Sequence, residues 1–174
     1  MIDSEGIYKK VDNLIDKYGT RDPLILAPQL GIEVNYVDYF NSLLGMYVYR
    51  WRHRAIFLND GMDEYLTKMV CGHEIGHDFF HRDLAGEEGL KEFQLFRMQS
   101  PTELEANIFN AHLLLDTNEC IELARNGYDV WHIASEMNSE MNLVLIKLQE
   151  LSRLGYNLRL PMEPQSDFFK NLKA

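Results

Sequence analysis

His73, Glu74 and His77 sit in the run His-Glu-Ile-Gly-His, side chains whose types and spacing suit hydrolysis at a bound cation. On an α-helix, residues four apart stack on one face, so two imidazole nitrogens can be aimed at a single ion. Glu74 lies about 100° further round the turn, close enough to exchange a proton with a water beside that ion. Met62, Leu66, Met69, Val70, His73, His77 and Phe80 form one helical stripe, which puts both imidazoles on the face expected to be buried. A lone histidine on such a face is ordinarily a core residue satisfied by a hydrogen bond. Two of them flanking a glutamate favour a metal site.

A catalytic zinc takes three protein ligands and leaves its fourth position to water. Downstream of the pair, the candidates for the third ligand are His81, Asp83, Glu87, Glu88, Glu103, Glu105 and His112. His81 shares the face of His77 but falls where the helix should be ending. The helix opened by Ser100-Pro101 is better placed, because a second rigid element crossing the first can lock the geometry. Its first turns carry Glu103, Glu105 and Asn107. Ser100 to Glu103 also spells a capping box, in which Glu103 would turn back to the Ser100 backbone. Glu105 should project about 200° away from Glu103. Cys71, two residues before His73, points to another side of the helix and is a poor ligand. Together with Cys120 it reads as a small buried apolar residue in a reducing compartment.

Several elements must hold these groups in place. Ile7, Val11, Leu14, Ile15 and Tyr18 mark a first helix ending at Gly19, and Asp22-Pro23 opens a short second helix that stops near Gly31. The segments Ile32–Val37, Leu44–Trp51 and Ala55–Leu58 are rich in β-branched and aromatic residues and predict three strands. The last two would form a hairpin through Arg52-His53-Arg54. The motif helix follows, ending at Phe80. Residues 81–99, with the apolar patch Phe93 to Phe96, predict an irregular crossing segment. Helices then follow from Ser100-Pro101, over Thr117 to Gly127, over Asp129–Met137 and over Ser139–Leu154. The expected architecture is α+β, with a small, mostly antiparallel three-stranded sheet on one side of the motif helix and the remaining helices on the other. An extended substrate could then pair with an exposed strand. The reading divides the chain into one domain over 1–155, whose residues 129–155 form a helical annex, and an extended tail over 156–174 with the aromatic pair Phe168-Phe169.

The formal charge of −10 excludes a broad phosphate-binding surface, and the one basic run, Arg50 to Arg54, reads as a solvated hairpin tip. Residues 133–155 loosely resemble a helix-turn-helix, but Glu140 and Glu150 face only Lys147 and Arg153, too little positive charge to grip a duplex. Direct nucleic-acid contact is therefore not expected. The chain also has no leader-like apolar stretch and no apolar run near 18 residues, so a cytoplasmic protein that does not enter membranes is expected.

At this point the sequence resembles the ImmA/IrrE metallo-endopeptidases, small relatives of the zincins. The resemblance rests on Gly72 to His77, followed by Glu103-Leu104-Glu105-Ala106-Asn107-Ile108-Phe109 and by Leu113-Leu114. It implies that Glu103 is the third metal ligand beside His73 and His77, that Glu74 is the catalytic base, and that Asn107 hydrogen-bonds a ligand. Two positions depart from the pattern: Asn110, where the family carries a small apolar residue, and Asp78 after the second histidine, which reads as a surface or ligand-supporting residue. The implied cofactor is zinc, with manganese or iron also suited to two imidazoles and a carboxylate. The implied substrate is a specific protein, a helix-turn-helix transcriptional repressor of a mobile element or stress regulon. The alternative is a non-catalytic protein-binding module that keeps its metal for structure.

Overall fold

In a computed structural model, residues 2–85, 89–92, 95–96 and 100–158 are described. Helix α1 (Ser4–Tyr18) is capped by the Asp3 side chain and ends at Gly19, whose φ of 66° is the left-handed geometry expected of a glycine stop. Asp22 caps α2 (Pro23–Gln29), with proline in its first turn as the sequence predicts. Strands β1 (Glu33–Val37), β2 (Gly45–Arg50) and β3 (His53–Asn59) follow, then the motif helix α3 (Glu64–Phe80) with Asp63 as its cap. After the short strand β4 (Leu90–Glu92) come α4 (Pro101–Leu114), α5 (Thr117–Arg125), α6 (Val130–Glu136) and α7 (Met141–Arg153).

The α+β class holds, but the sheet differs from the expectation of three mostly antiparallel strands. It has four, in the order β1-β3-β2-β4, and β1 runs parallel to β3. The parallel pairing follows from the chain order: β2 carries the chain back antiparallel to β3, so β3 re-enters the sheet in the direction of β1 and between β1 and β2. Strand β4 spans only three residues, too few for an alternating pattern to register in sequence. It pairs with β2 from Gly45 to Tyr47, so this part of the β2 edge, where an extended substrate could have docked, is covered. The hairpin also turns one residue earlier than expected. Arg50 pairs with His53, and Trp51 and Arg52 make the tip with φ of 49° and 66°. A two-residue turn of this kind needs left-handed backbone at both positions and normally recruits Asn-Gly, so its sequence signal is missing here.

The second departure concerns α3. One buried stripe is expected, yet every residue from Met69 to Asp78 is buried. The cause is packing on all sides: α3 lies against β2 and β3 on one flank and against α2 and α4 on others. α1 and α7 close the far side of α4, and one apolar cluster runs from Ile7 to Leu151. Cys71 and Cys120 are both free and buried, as expected of small apolar fillers. No helix among the described residues is long and apolar enough to cross a membrane. The tail expected over 156–174 lies outside the described residues from 159 onward, as do Phe168-Phe169 and the Phe93-Gln94 half of the apolar patch.

A lysine is buried in this core away from the motif helix. Lys147 of α7 is fully inaccessible, with Nζ 3.1 Å from His112 Nδ1 and donating to Thr117 Oγ1 at 2.9 Å. Burial pushes it down from 10.5 to about 7, and the Arg21 charge works in the same direction against Cys120, Asp116 and Asp12. Burial and the Lys147 charge likewise hold His112 down at about 3, so this imidazole stays neutral. A base whose folded pKa is depressed destabilises the fold fully below that pKa, and the penalty fades as pH rises to its unfolded value. Urea titrations should therefore show wild-type stability climbing relative to Lys147→Met between pH 7 and 10.5, by on the order of 5 kcal/mol. Parallel pH curves for the two proteins would show that the buried amine carries no such cost.

Candidate metal centre

The site begins with two glycines one turn apart on α3. A Cβ on Gly76 would sit 3.0 Å from the Ala106 Cα, and one on Gly72 would collide with Asn110 Oδ1. With hydrogens at those two places, the backbones of α3 and α4 approach closely enough for short side chains to bridge them. Asn110, a departure from the family pattern, accepts this crowding because its Nδ2 donates to the Met69 carbonyl at 2.9 Å. Gly45 does the same on the sheet side: a Cβ there would collide with Val70 and stand 3.1 Å from Glu74 Oε1.

Across this contact, one nitrogen each from His73 and His77 and one Glu103 oxygen lie within 4.8 Å of one another. The two Nε2 atoms are 3.0 Å apart. Glu103 oxygens stand 3.2 Å from His73 Nε2 and 3.5 Å from His77 Nε2. Burial opposes the charge on Glu103, but its bonds to His73 and His77 hold its carboxyl well below the usual carboxylate range. Burial opposes the charge on His73 too, yet bonds to Glu103 and Glu92, with the Glu74 charge behind them, raise it to about 10. His77 moves the other way, because burial outweighs its contact with Glu103. The cluster is thus a buried excess of carboxylate that draws positive charge to the facing Nε2 atoms. Two imidazoles and a carboxylate, from two rigid helices, are a donor set that a divalent cation fits.

Glu74 is fully buried, and among the described residues neither of its carboxylate oxygens has a hydrogen-bond partner. Burial pushes it up to about 8, with Glu92 and Glu103 adding to the shift, while the His73 charge and the nearby Tyr47 backbone amide, which falls short of hydrogen-bond geometry, oppose it. A carboxyl poised near neutrality and left unpaired beside a donor cluster is the arrangement proton transfer requires.

The remaining sequence candidates separate cleanly. Ser100 caps α4 through its own hydroxyl, accepting from the Glu103 amide at 3.2 Å, so Ser100 serves the cap while the Glu103 carboxylate faces the histidines. Glu105 points instead to His81, with Oε2 3.0 Å from His81 Nε2, and His81 Nδ1 meets His77 Nδ1 at 3.0 Å. Asn107 Oδ1 lies 3.1 Å from His73 Nδ1. His112 belongs to the Lys147 cluster, and the Cys71 thiol is raised by burial and lies apart from the donor set. Asp83 is exposed, and Glu87 and Glu88 lie outside the described residues.

One group escapes the sequence reading, and another takes a different place. Glu92, at the end of β4, is buried with Oε2 3.1 Å from His73 Nε2. Only the cross-strand register, Gly45 opposite Glu92, brings it there. Asp78, expected at the surface or supporting a ligand, is 1% exposed, and among the described residues its carboxylate bonds to groups other than the candidate ligands. It accepts from Tyr47 Oη at 2.6 Å, Arg54 at 3.1 Å and Arg82 at 2.9 Å, tying the motif helix to the sheet. Arg54 also donates to the Leu30 carbonyl, so it is a structural residue of the hairpin and not a loose cation.

A family model, Peptidase_M78 (IrrE N-terminal-like domain), matches residues 27–149. A Bacillus phage phi105 protein named "Uncharacterized immunity region protein 2" is 35% identical over 105 residues, which is 60% of this chain. The match spans 65% of that relative, just under two thirds of its length.

The glycine contact generates a test. Gly72→Ala should destabilise the protein by roughly 1–3 kcal/mol in denaturant titrations, because the added methyl forces Asn110 off the Met69 carbonyl. Trimming the obstacle in Gly72→Ala/Asn110→Ala should recover part of that loss. A double variant no better than the additive sum of the two single losses would contradict the packing argument.

Proposed function

The chain belongs to the IrrE N-terminal-like domain family of peptidases, and on that premise we propose that it is a zinc-dependent endopeptidase acting on a specific protein. The observation that carries this reading is the convergence of His73, His77 and Glu103 from two helices beside the unpaired, buried Glu74. His73 Nε2, His77 Nε2 and a Glu103 oxygen would hold the cation. When bound, the cation supplies an electrophile for the scissile carbonyl and lowers the pKa of a water. Glu74 accepts the proton of the attacking water at a carboxylate oxygen and passes it to the leaving amide nitrogen. Its burial keeps bulk water from quenching that exchange, and the small Gly45 leaves the carboxylate room to turn.

For the substrate, the supporting fact is the likeness to a phage immunity-region protein. Together with the resemblance of the paired motifs to the ImmA/IrrE enzymes, the reading extends to cleavage of a helix-turn-helix repressor encoded by a mobile element. Direct DNA binding is the weaker reading. Of the two cations that α7 could offer a duplex, Lys147 is buried and Arg153 is bonded to Glu150 at 2.6 Å. A second reading, a non-catalytic module with a closed metal site, draws on Glu92 as a possible fourth donor beside His73.

Purified protein incubated with helix-turn-helix repressors should cut one of them at a single bond, read by mass spectrometry. Glu74→Gln should abolish the cut, a loss of at least about a thousandfold, while its zinc content stays at the wild-type level. Glu103→Ala should lose the zinc as well. Cutting by Glu74→Gln at the wild-type rate would end the proposed mechanism. Glu92→Gln should keep both zinc and cutting, and loss of its zinc would favour the closed-site reading.

A further inference from the structure

We propose that His81 is a positioning residue for His77, and that Glu105 holds His81 in the tautomer this task demands. The inference rests on the reading of His77 as a metal ligand and adds to it a relay leading from the metal to the rim of α4.

The argument is a count of protons. To offer its Nε2 lone pair, neutral His77 must carry its one ring proton on Nδ1. That nitrogen lies 3.0 Å from His81 Nδ1, and two ring nitrogens at this distance share a single proton. With its Nε2 turned to a cation, His77 would donate and His81 Nδ1 would accept. The ring proton of neutral His81 must then sit on Nε2, which stands 3.0 Å from Glu105 Oε2, an obligate acceptor when ionised. Once His77 Nε2 is reserved for a cation, this arrangement of protons gives every donor among the three residues an acceptor. His73 reaches the same end by a shorter route, because Asn107 Oδ1 is a fixed acceptor for its Nδ1–H. The Nδ1 of an imidazole accepts only in the tautomer protonated at Nε2, so the His77 branch needs one more residue than the His73 branch.

Local structure provides the placement. His81 closes α3 with its amide bonded to the His77 carbonyl at 2.8 Å, and its φ of −130° takes it out of the helix. Its ring stacks edge-on to His77 with centroids 5.1 Å apart, and only 5% of the residue is exposed. Glu105 leaves α4 two residues after Glu103 and so on a different side, reaching His81 while Glu103 reaches the facing Nε2 atoms. One helix thus supplies a carboxylate to each end of the His77 ring, one directly and one through His81. A histidine that merely filled the core would not couple a rim carboxylate to the metal.

The test is zinc affinity, by competition with a chromogenic chelator, for wild type, His81→Ala, His81→Asn, Glu105→Ala and the double alanine variant. Removing the orienting acceptor should weaken zinc binding 10–100-fold in His81→Ala. His81→Asn, which restores a fixed carbonyl acceptor like that of Asn107, should recover most of the affinity. Glu105→Ala should weaken binding several-fold on its own and add nothing in the His81→Ala background. Nitrogen-15 shifts of the zinc-loaded protein should show His77 protonated at Nδ1 and His81 at Nε2. Wild-type affinity in His81→Ala, or losses that multiply in the double variant, would overturn the relay while leaving the metal site intact. Wild-type protein that takes up no zinc, or His73→Ala that retains it, would remove the metal site and the relay together.

Discussion

The close approach of α3 and α4 is the constraint on which the rest of the site depends. Gly72 and Gly76 present hydrogens to Asn110 and Ala106, and this near-contact of backbones brings a Glu103 carboxylate to imidazoles on another helix. Were the helices one methyl further apart, a glutamate would have to unwind or extend to reach both Nε2 atoms. Rigid elements at short range hold donor geometry better than long side chains or loops. The same contact places Asn107 and Glu105 where they can reach His73 and His81, so a single packing decision sets the ligands and their supports.

Burial then shapes the chemistry. Glu74, Glu92 and Glu103 gather around His73, two of them nearly or fully withdrawn from water, and such a concentration of carboxylate is costly unless positive charge sits among it. In the protein alone, the proton on His73 answers that demand. A divalent cation would answer it with more charge and with directional bonds, which is the physical content of the metal reading. The orphaned oxygens of Glu74 fit the same view, since a buried carboxylate without a partner is retained where a task needs it free. Asp78 contrasts with it: equally buried, but neutralised by Arg54 and Arg82 and bonded by Tyr47, it acts as a rivet between helix and sheet.

Much of this architecture could be read from local pattern. The caps Asp22, Asp63 and Ser100, the glycine stop at Gly19 and the apolar stripes of the helices are short-range signals, and the elements begin and end close to them. The sheet was harder to read. Its parallel strand, its three-residue edge strand and its Trp51-Arg52 turn depend on which segments meet in space, and none leaves a period or turn signature in the chain. Position 78 misled for a related reason. The helical wheel marks one buried stripe, whereas α3 is enclosed on all sides, so a polar residue off the stripe can still be interior.

The sequence by itself determined that His73 and His77 share a helix face with Glu74 between them, because four-residue spacing on a helix leaves no other outcome. It determined the helical frame as well, and through the paired motifs the family. Which of several downstream carboxylates meets those imidazoles was decided only by tertiary structure. Glu103 and Glu105 are two residues apart and alike in chemistry, and the rotation of α4 against α3 sends one to the facing Nε2 atoms and the other to His81. Glu92 arrives through strand register alone. Spacing along one element is inherited from covalent geometry, but contact between elements depends on how whole surfaces pack, and no short window of residues contains that information.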